Sequence, residues 1–316
     1  MNRRQQVGLV TLSIFLLLEA ALAILLICAY VSAQRPRRVP MTVRNVPTKP
    51  PRKTFRLRCV NVQMMPVQCL TRCNISKSAL FENADVLMLQ EAFRVPAGVH
   101  ADPITLLHQW APGSRMTYAV ASTPLHAWMG TDSGLAAAAV SPWQCTFVAT
   151  KAFAHSQHVD TIAKKAVVVF QISGGVRIAN IHLQASYTQR EVPSDDRVRT
   201  SQFLEAVDFA IGEGAALLVG DANVDTEPLL ATFDAIVERA GGRRVPDDGQ
   251  SSCPSIGSNM TLWRKGDDAG KRVDYMWILD SSQIACGGIV STDREITNPW
   301  SDHAAIEAEF TILEQG

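Results

Sequence analysis

Acidic residues are missing from a long stretch of this chain. Between Ala20 and Phe81 there is no Asp or Glu. Residues 1–53 hold nine Lys/Arg and a single acid, Glu19, so the formal net charge of zero hides a segregation. That leaves 21 basic and 29 acidic residues in 54–316, a net of −8. A domain with that balance lacks the general basic footprint of a nucleic-acid binder, although acidic metal ligands also inflate the count. Cysteine is scarce, seven in 316 residues, and Cys69 and Cys73 have no companion pair, so nothing has zinc-site spacing. There is no internal repeat and no sign of a second domain.

One apolar run is long. Val7–Ala33 is 27 residues with one ionisable side chain, Glu19, and a bilayer core needs about 20 apolar residues of helix. Residues 1–33 are therefore expected to form a retained N-terminal transmembrane anchor. The competing reading is a secretory signal, because Val31-Ser32-Ala33 has a small-x-small pattern; signal cores, however, run to only about 7–15 residues. Seven basic residues from Arg35 to Lys53 follow the run and only Arg3 and Arg4 precede it, which favours a cytoplasmic domain. Two sequons (Asn74-Ile75-Ser76 and Asn259-Met260-Thr261) and six cysteines outside the run point the other way. Residues 34–53, with five prolines and seven basic residues, read as an extended linker. Residues 54–316 read as one catalytic domain. The expected localisation is that of a single-pass membrane protein.

Beyond the linker, short apolar runs alternate with turn residues. Strand-like runs cover 55–62, 86–89, 134–140, 166–172, 176–183, 216–219, 273–279 and 304–310, and helical patterns cover 77–83, 104–110, 197–211 and 229–240. The helix at 197–211 keeps Phe203, Ala206, Val207 and Ala210 on one stripe, which is a core face. Many strands with interspersed helices indicate an α+β layered domain.

The chemistry collects at the strand edges. The first run ends in Asn61 and the second in Gln90-Glu91. The fifth ends at His182, within IANIHLQASYTQ, and the sixth in Asp221 and Asn223. The seventh contains Asp274, and Asp302-His303 precede the eighth. Each has a plain explanation as a cap, a turn or a solvated side chain. Six of eight strand edges together do not. Carboxylate and amide oxygens without thiolates select a hard cation such as Mg²⁺, which keeps several waters and binds substrate phosphate. Two histidines beside acids offer a general base and a stabiliser for water attack on phosphorus.

The ordered set Asn61, Gln90-Glu91, His182, Gly220-Asp221-Ala222-Asn223, Asp274-Tyr275 and Ser301-Asp302-His303 resembles the endonuclease/exonuclease/phosphatase superfamily over residues 55–310. The resemblance implies an α+β fold, a four-layer α/β/β/α sandwich with the site at one end of two packed sheets. It implies that Glu91 holds Mg²⁺, with Mn²⁺ as a substitute, and that Asn61 lies on metal or phosphate. Asp221 would orient the attacking water and Asn223 would bind phosphate. His303 would be the general base, held in its tautomer by Asp274, with Asp302 reaching the metal shell. His182 would donate to a phosphate oxygen.

Within that superfamily the chain is most similar to neutral sphingomyelinases. HLQA (182–185), DTIAKKAVVV (160–169), SGLAAAAVSP (133–142) and the Arg199-x-x-Gln202 helix start carry the likeness, and Lys165 becomes a phosphate or substrate contact. Ala222 departs from the larger residue usual between Asp and Asn, VQMMP lacks the commonest aromatic after Asn61, and no exposed aromatic hairpin is identifiable. The expected activity is Mg²⁺-dependent hydrolysis of sphingomyelin to ceramide and phosphocholine. A membrane lipid is the expected substrate and nucleic acid is disfavoured as a partner. The alternatives are a DNase I-like endonuclease, a phosphoinositide or other lipid phosphatase, and an inactive scaffold.

Overall fold

The computed structural model describes residues 48–62, 78–92, 116–120, 133–158, 160–163, 165–186, 192–224, 226–253, 272–293, 295, 301 and 303–313. Its strands form two sheets. The first contains β1 (Thr54–Asn61), β2 (Val86–Gln90), β3 (Met116–Val120), β4 (Ala136–Val140), β11 (Ile284–Cys286), β12 (Ser291–Asp293) and β13 (Ala305–Ile312), in the order β11-β13-β1-β2-β4-β3 with β12 also on β13. The second runs β5-β6-β7-β8-β10-β9, from β5 (Cys145–Ala152), β6 (Ala166–Ile172), β7 (Arg177–His182), β8 (Leu217–Asp221), β9 (Arg243–Arg244) and β10 (Asp274–Ile278).

Period-two alternation explains how the sheets pack. Phe55, Leu57 and Cys59 of β1 and Val86 and Met88 of β2 face Ile178 of β7, Leu217 and Val219 of β8, and Met276 and Ile278 of β10 in one buried core. The other face of the second sheet presents Ala179, Ile181, Leu218 and Trp277 to two helices, α2 (Val192–Gly212) and α3 (Glu227–Arg239); a short α1 (Asp160–Ala163) precedes β6. Phe203 of α2 and Phe233 of α3 stack with centroids 4.0 Å apart and pin the helices together over Trp277. A fully buried side chain of this size stabilises by about 1.5–3 kcal/mol. The result is a mixed α+β fold with two sheets, the core of the expected sandwich. Three of the four expected layers lie among the described residues.

The same alternation delivers the polar residues. The inward face of β1 continues from Cys59 to Asn61, and that of β2 from Met88 to Gln90. Ile178 leads to Asn180 and His182, Val219 to Asp221, and Met276 back to Asp274. In the second sheet His182 pairs with Asp221 and Asp221 with Asp274, so three adjacent strands carry one row. In the first sheet Asn61 pairs with Gln90.

Gly220 makes this row close-fitting. Its φ is +141°, and a Cβ there would stand 2.1 Å from the Ile181 carbonyl oxygen. Only glycine lets β7 and β8 meet beside His182 and Asp221. Gly220→Ala is expected to destabilise by about 1–3 kcal/mol or more, read as an earlier midpoint in urea unfolding.

Three expectations change. The helix expected at 77–83 is a 3₁₀ turn, Ser78–Leu80. Arg58 holds that turn, its Nη1 donating to the carbonyls of Ala79 (2.8 Å) and Leu80 (2.7 Å). The helix expected from 197 begins at 192, because Pro193 is tolerated in a first turn, where its missing N–H has no intrahelical partner. The single-pass membrane localisation is also corrected. No helix among the described residues is long and apolar enough to cross a membrane. The longest, α2, carries Asp195, Asp196, Arg197, Arg199, Glu205 and Asp208 along its length. The run Val7–Ala33 and the helical pattern at 104–110 lie outside the described residues, as do both sequons.

Candidate active site

One amide joins the two sheets at their polar end. Asn61 Nδ2 donates to Glu91 Oε1 at 2.9 Å and to Asp221 Oδ2 at 3.0 Å. Plain alternation would send Glu91 to the face opposite Gln90, but its φ of +53° turns the chain back toward the inter-sheet end. A left-handed non-glycine residue costs about 1–3 kcal/mol and persists only where its surroundings hold it. Asn223 is also left-handed, at φ +52°. Its N–H donates to Asp221 Oδ1 (2.9 Å) and its Nδ2 to the Leu183 carbonyl (3.0 Å).

His303 stands over the same carboxylate. Its Nδ1 lies 2.8 Å from Asp274 Oδ2, and its Nε2 lies 3.7 Å from Asp221 Oδ2. A carboxylate can only accept, so Nδ1 carries the hydrogen and Nε2 faces Asp221. Two serines brace the dyad. Ser301 Oγ donates to the Asn61 carbonyl (2.6 Å) and accepts from the His303 N–H (3.1 Å). Ser252 Oγ accepts from the N–H groups of Val273 and Asp274, both at 3.0 Å. Burial opposes charge on His303, but Asp274, with Cys253 and Asp221, lifts it well above the ordinary histidine value.

That direction sets a pH dependence for the metal-free protein. A folded-state value raised above the unfolded one contributes stability in full below about pH 6.5. The contribution is lost as pH rises through the raised folded value. Thermal unfolding in EDTA should therefore show His303→Gln losing most, relative to the parent, on the acid side of that window. A deficit that grows with pH would contradict the pairing.

His182 occupies the opposite electrostatic position. Its Nε2 is 2.5 Å from Lys165 Nζ, 3.6 Å from Asp221 Oδ2 and 3.9 Å from Glu91 Oε1. Burial, and then the Lys165 ammonium, hold it well below the ordinary value despite the Asp221 carboxylate. A neutral ring with Nε2 against an ammonium accepts a hydrogen bond from it. Lys165 also pairs with Asp160 Oδ1 at 3.3 Å, and Asp160 Oδ2 accepts from the Ala185 N–H at 2.7 Å. From α2, Gln202 Oε1 accepts the Gln184 N–H (2.8 Å), while Arg199 Nη1 donates to Gln184 O and Ser186 Oγ, both at 2.9 Å. The Arg199-x-x-Gln202 spacing thus holds the chain leaving His182.

The structure gathers Asn61, Glu91, Lys165, His182, Asp221, Asn223, Asp274 and His303 at one end of the sheets; Asp302 lies outside the described residues. The sequence pattern does not single out Ser252, Asn180 or the Asp160 partner of Lys165. Asn180, two residues before His182 on the same strand face, carried the clearest signal. The donor set fits a hard cation. Glu91 and Asp221 offer carboxylate oxygens to one amide hydrogen-bond donor, so a positive ion in that position would meet both. Asp221, Asp274 and His303 also place ligand atoms within 4.8 Å of one another. In that trio Asp274 is already committed to His303, which favours Glu91, with Asn61 beside it, for the ion.

No family profile matches this chain, and no curated protein does. Solved structures do. Sphingomyelinase C from Streptomyces griseocarneus aligns with 18% identity and a TM-score of 0.57, over 83% of this chain and 99% of that one. A double mutant of beta toxin from Staphylococcus aureus, with bound magnesium ions, aligns with 17% identity and a TM-score of 0.57, over 80% and 98%. SmcL aligns with 16% identity and a TM-score of 0.55, over 82% and 99%. The two packed sheets of this chain are those of the DNase I-like fold that these structures share.

Proposed function

We propose that this chain is a Mg²⁺-dependent phosphodiesterase that hydrolyses sphingomyelin to ceramide and phosphocholine. At the coarser level of a phosphoric ester hydrolase the fold and the donor set agree. The observation that carries the reading is a single carboxylate oxygen, Asp221 Oδ2, with His182 Nε2 at 3.6 Å, His303 Nε2 at 3.7 Å and Asn61 Nδ2 at 3.0 Å. The arrangement supports a water held at Asp221 between a base and a phosphate-facing cation.

In this reading Glu91 and the amide oxygen of Asn61 would hold Mg²⁺, with Asp302 expected in its shell. The bound ion supplies Lewis-acid neutralisation of the phosphoryl oxygens. Asp221 accepts a hydrogen from the attacking water and orients it. His303 in its neutral form takes the proton on Nε2, so turnover should rise as pH passes through its raised value, while Asp274 keeps the hydrogen on Nδ1 and stabilises the imidazolium. Lys165 brings the positive charge toward the developing phosphate charge. His182, neutral, aims that ammonium rather than carrying charge itself, and Asn223 offers its amide to the phosphate. A membrane lipid as substrate accords with the acidic balance of residues 54–316, which disfavours a polyanion such as DNA.

Lys165→Met removes the charge and keeps much of the stem. It is expected to lower kcat on sphingomyelin by about 10²–10³-fold, the size of one lost preorganised donor. The head group should leave as phosphocholine, with no inorganic phosphate, and supercoiled plasmid should stay intact. Plasmid nicking at a comparable rate would transfer the reading to a nuclease, and release of inorganic phosphate to a phosphatase.

A further inference from the structure

Directly beneath the site, the largely apolar layer between the sheets holds two amides. Gln90 and Asn180 are both wholly buried there. Gln90 Nε2 donates to Asn180 Oδ1 at 2.6 Å and to Cys59 Sγ at 3.3 Å. Asn180 Nδ2 donates to the carbonyls of Leu89 (3.0 Å) and Ala136 (3.3 Å). A side chain of β7 is thus tied to β2 through Gln90 and the Leu89 backbone, and to β4 through Ala136. Gln90 Oε1 has no hydrogen-bond partner among the described residues. Burying amides that are incompletely matched costs more than filling the same space with hydrocarbon. Stability alone therefore does not account for this pair.

Its position does. Gln90 is the residue before Glu91, whose left-handed backbone must be held in place, and Asn180 is two residues before His182 on the same strand face. Apolar side chains can slide against one another, whereas hydrogen bonds fix register and direction. We propose that the Gln90–Asn180 amide pair is a positioning device that locks the β2 end carrying Glu91 to the β7 end carrying His182. It sets the 3.9 Å approach of His182 Nε2 to Glu91 Oε1. The inference rests on the phosphodiesterase reading for the roles of Glu91 and His182, and on the structure alone for the lock.

The test replaces the pair by hydrocarbon in the full chain. Gln90→Met/Asn180→Leu preserves volume, so its unfolding midpoint should stay near the parent's. Turnover of bis(p-nitrophenyl) phosphate in Mg²⁺ should nevertheless fall by about 10- to 100-fold in kcat, as misplacement by about 1 Å costs. KM should change little, and the rise in melting temperature on adding Mg²⁺ should shrink. Should the double variant fail to fold, Asn180→Ala removes only one amide, and the same split is expected from it. A folded variant with parental kcat and a parental Mg²⁺-induced rise overturns the proposal. If the parent itself leaves the diester intact, the shrunken Mg²⁺ response alone supports the lock while the enzymatic reading falls.

Discussion

His303→Ala is expected to lower kcat by about 10²–10⁴-fold, the contribution of a positioned general base, with KM little affected. The Nε2 of His303 faces Asp221 Oδ2 (3.7 Å) while its Nδ1 is committed to Asp274 (2.8 Å). Removing the ring leaves the buried Asp274 carboxylate without this partner, so stability drops too, and turnover must be expressed per folded molecule from circular dichroism. The dyad acts as a unit. Asp274→Asn added to His303→Ala should therefore cost little further activity. Independent, multiplicative losses would show that Asp274 acts elsewhere.

The second large effect concerns the cation. Glu91→Gln keeps the shape and hydrogen-bonding reach of the side chain but removes its charge. Two carboxylates, Glu91 and Asp221, meet at Asn61 Nδ2 (2.9 and 3.0 Å), and hard divalent ions prefer such anionic oxygen sets. The Mg²⁺ concentration for half-maximal activity is expected to rise at least about tenfold, since even outer-shell substitutions shift metal affinity by about 10–100-fold. An unchanged Mg²⁺ titration, followed by activity and by melting temperature, would remove Glu91 from the metal site.

How far the sequence revealed this site depends on which strands are fully buried. The runs ending at Asn61, Gln90, His182 and Asp221 lie in the centre of the sheets, and largely apolar stretches mark them within a residue or two. Alternation then carried the polar residues to the same edge. β5 escaped notice because its half-exposed CTFVATKA presents neither a continuous apolar run nor a clean alternation. β9, β11 and β12, of two or three residues each, are too short for a periodic signal. The contacts that brace the site were less legible still. Nothing local to Ser252 says that its hydroxyl will accept from Val273 and Asp274, some 20 residues on. Nor does the sequence near Gln90 announce a partner 90 residues away. Such pairings are made by topology, when two sheets close on each other. The change in the role proposed for His182 has the same origin. In the proposed function His182 accepts from Lys165 rather than donating to phosphate, because β6 and β7 pair with Ala166 opposite His182, which sets Lys165 beside the ring.

The central claim is best tested by phosphocholine release from sphingomyelin in mixed micelles, comparing the parent chain in Mg²⁺, the parent in EDTA, and His303→Ala in Mg²⁺. The account predicts release in the first sample and background in the other two. Release that persists in EDTA or in His303→Ala, or none from a folded parent whose melting temperature responds to Mg²⁺, would contradict it.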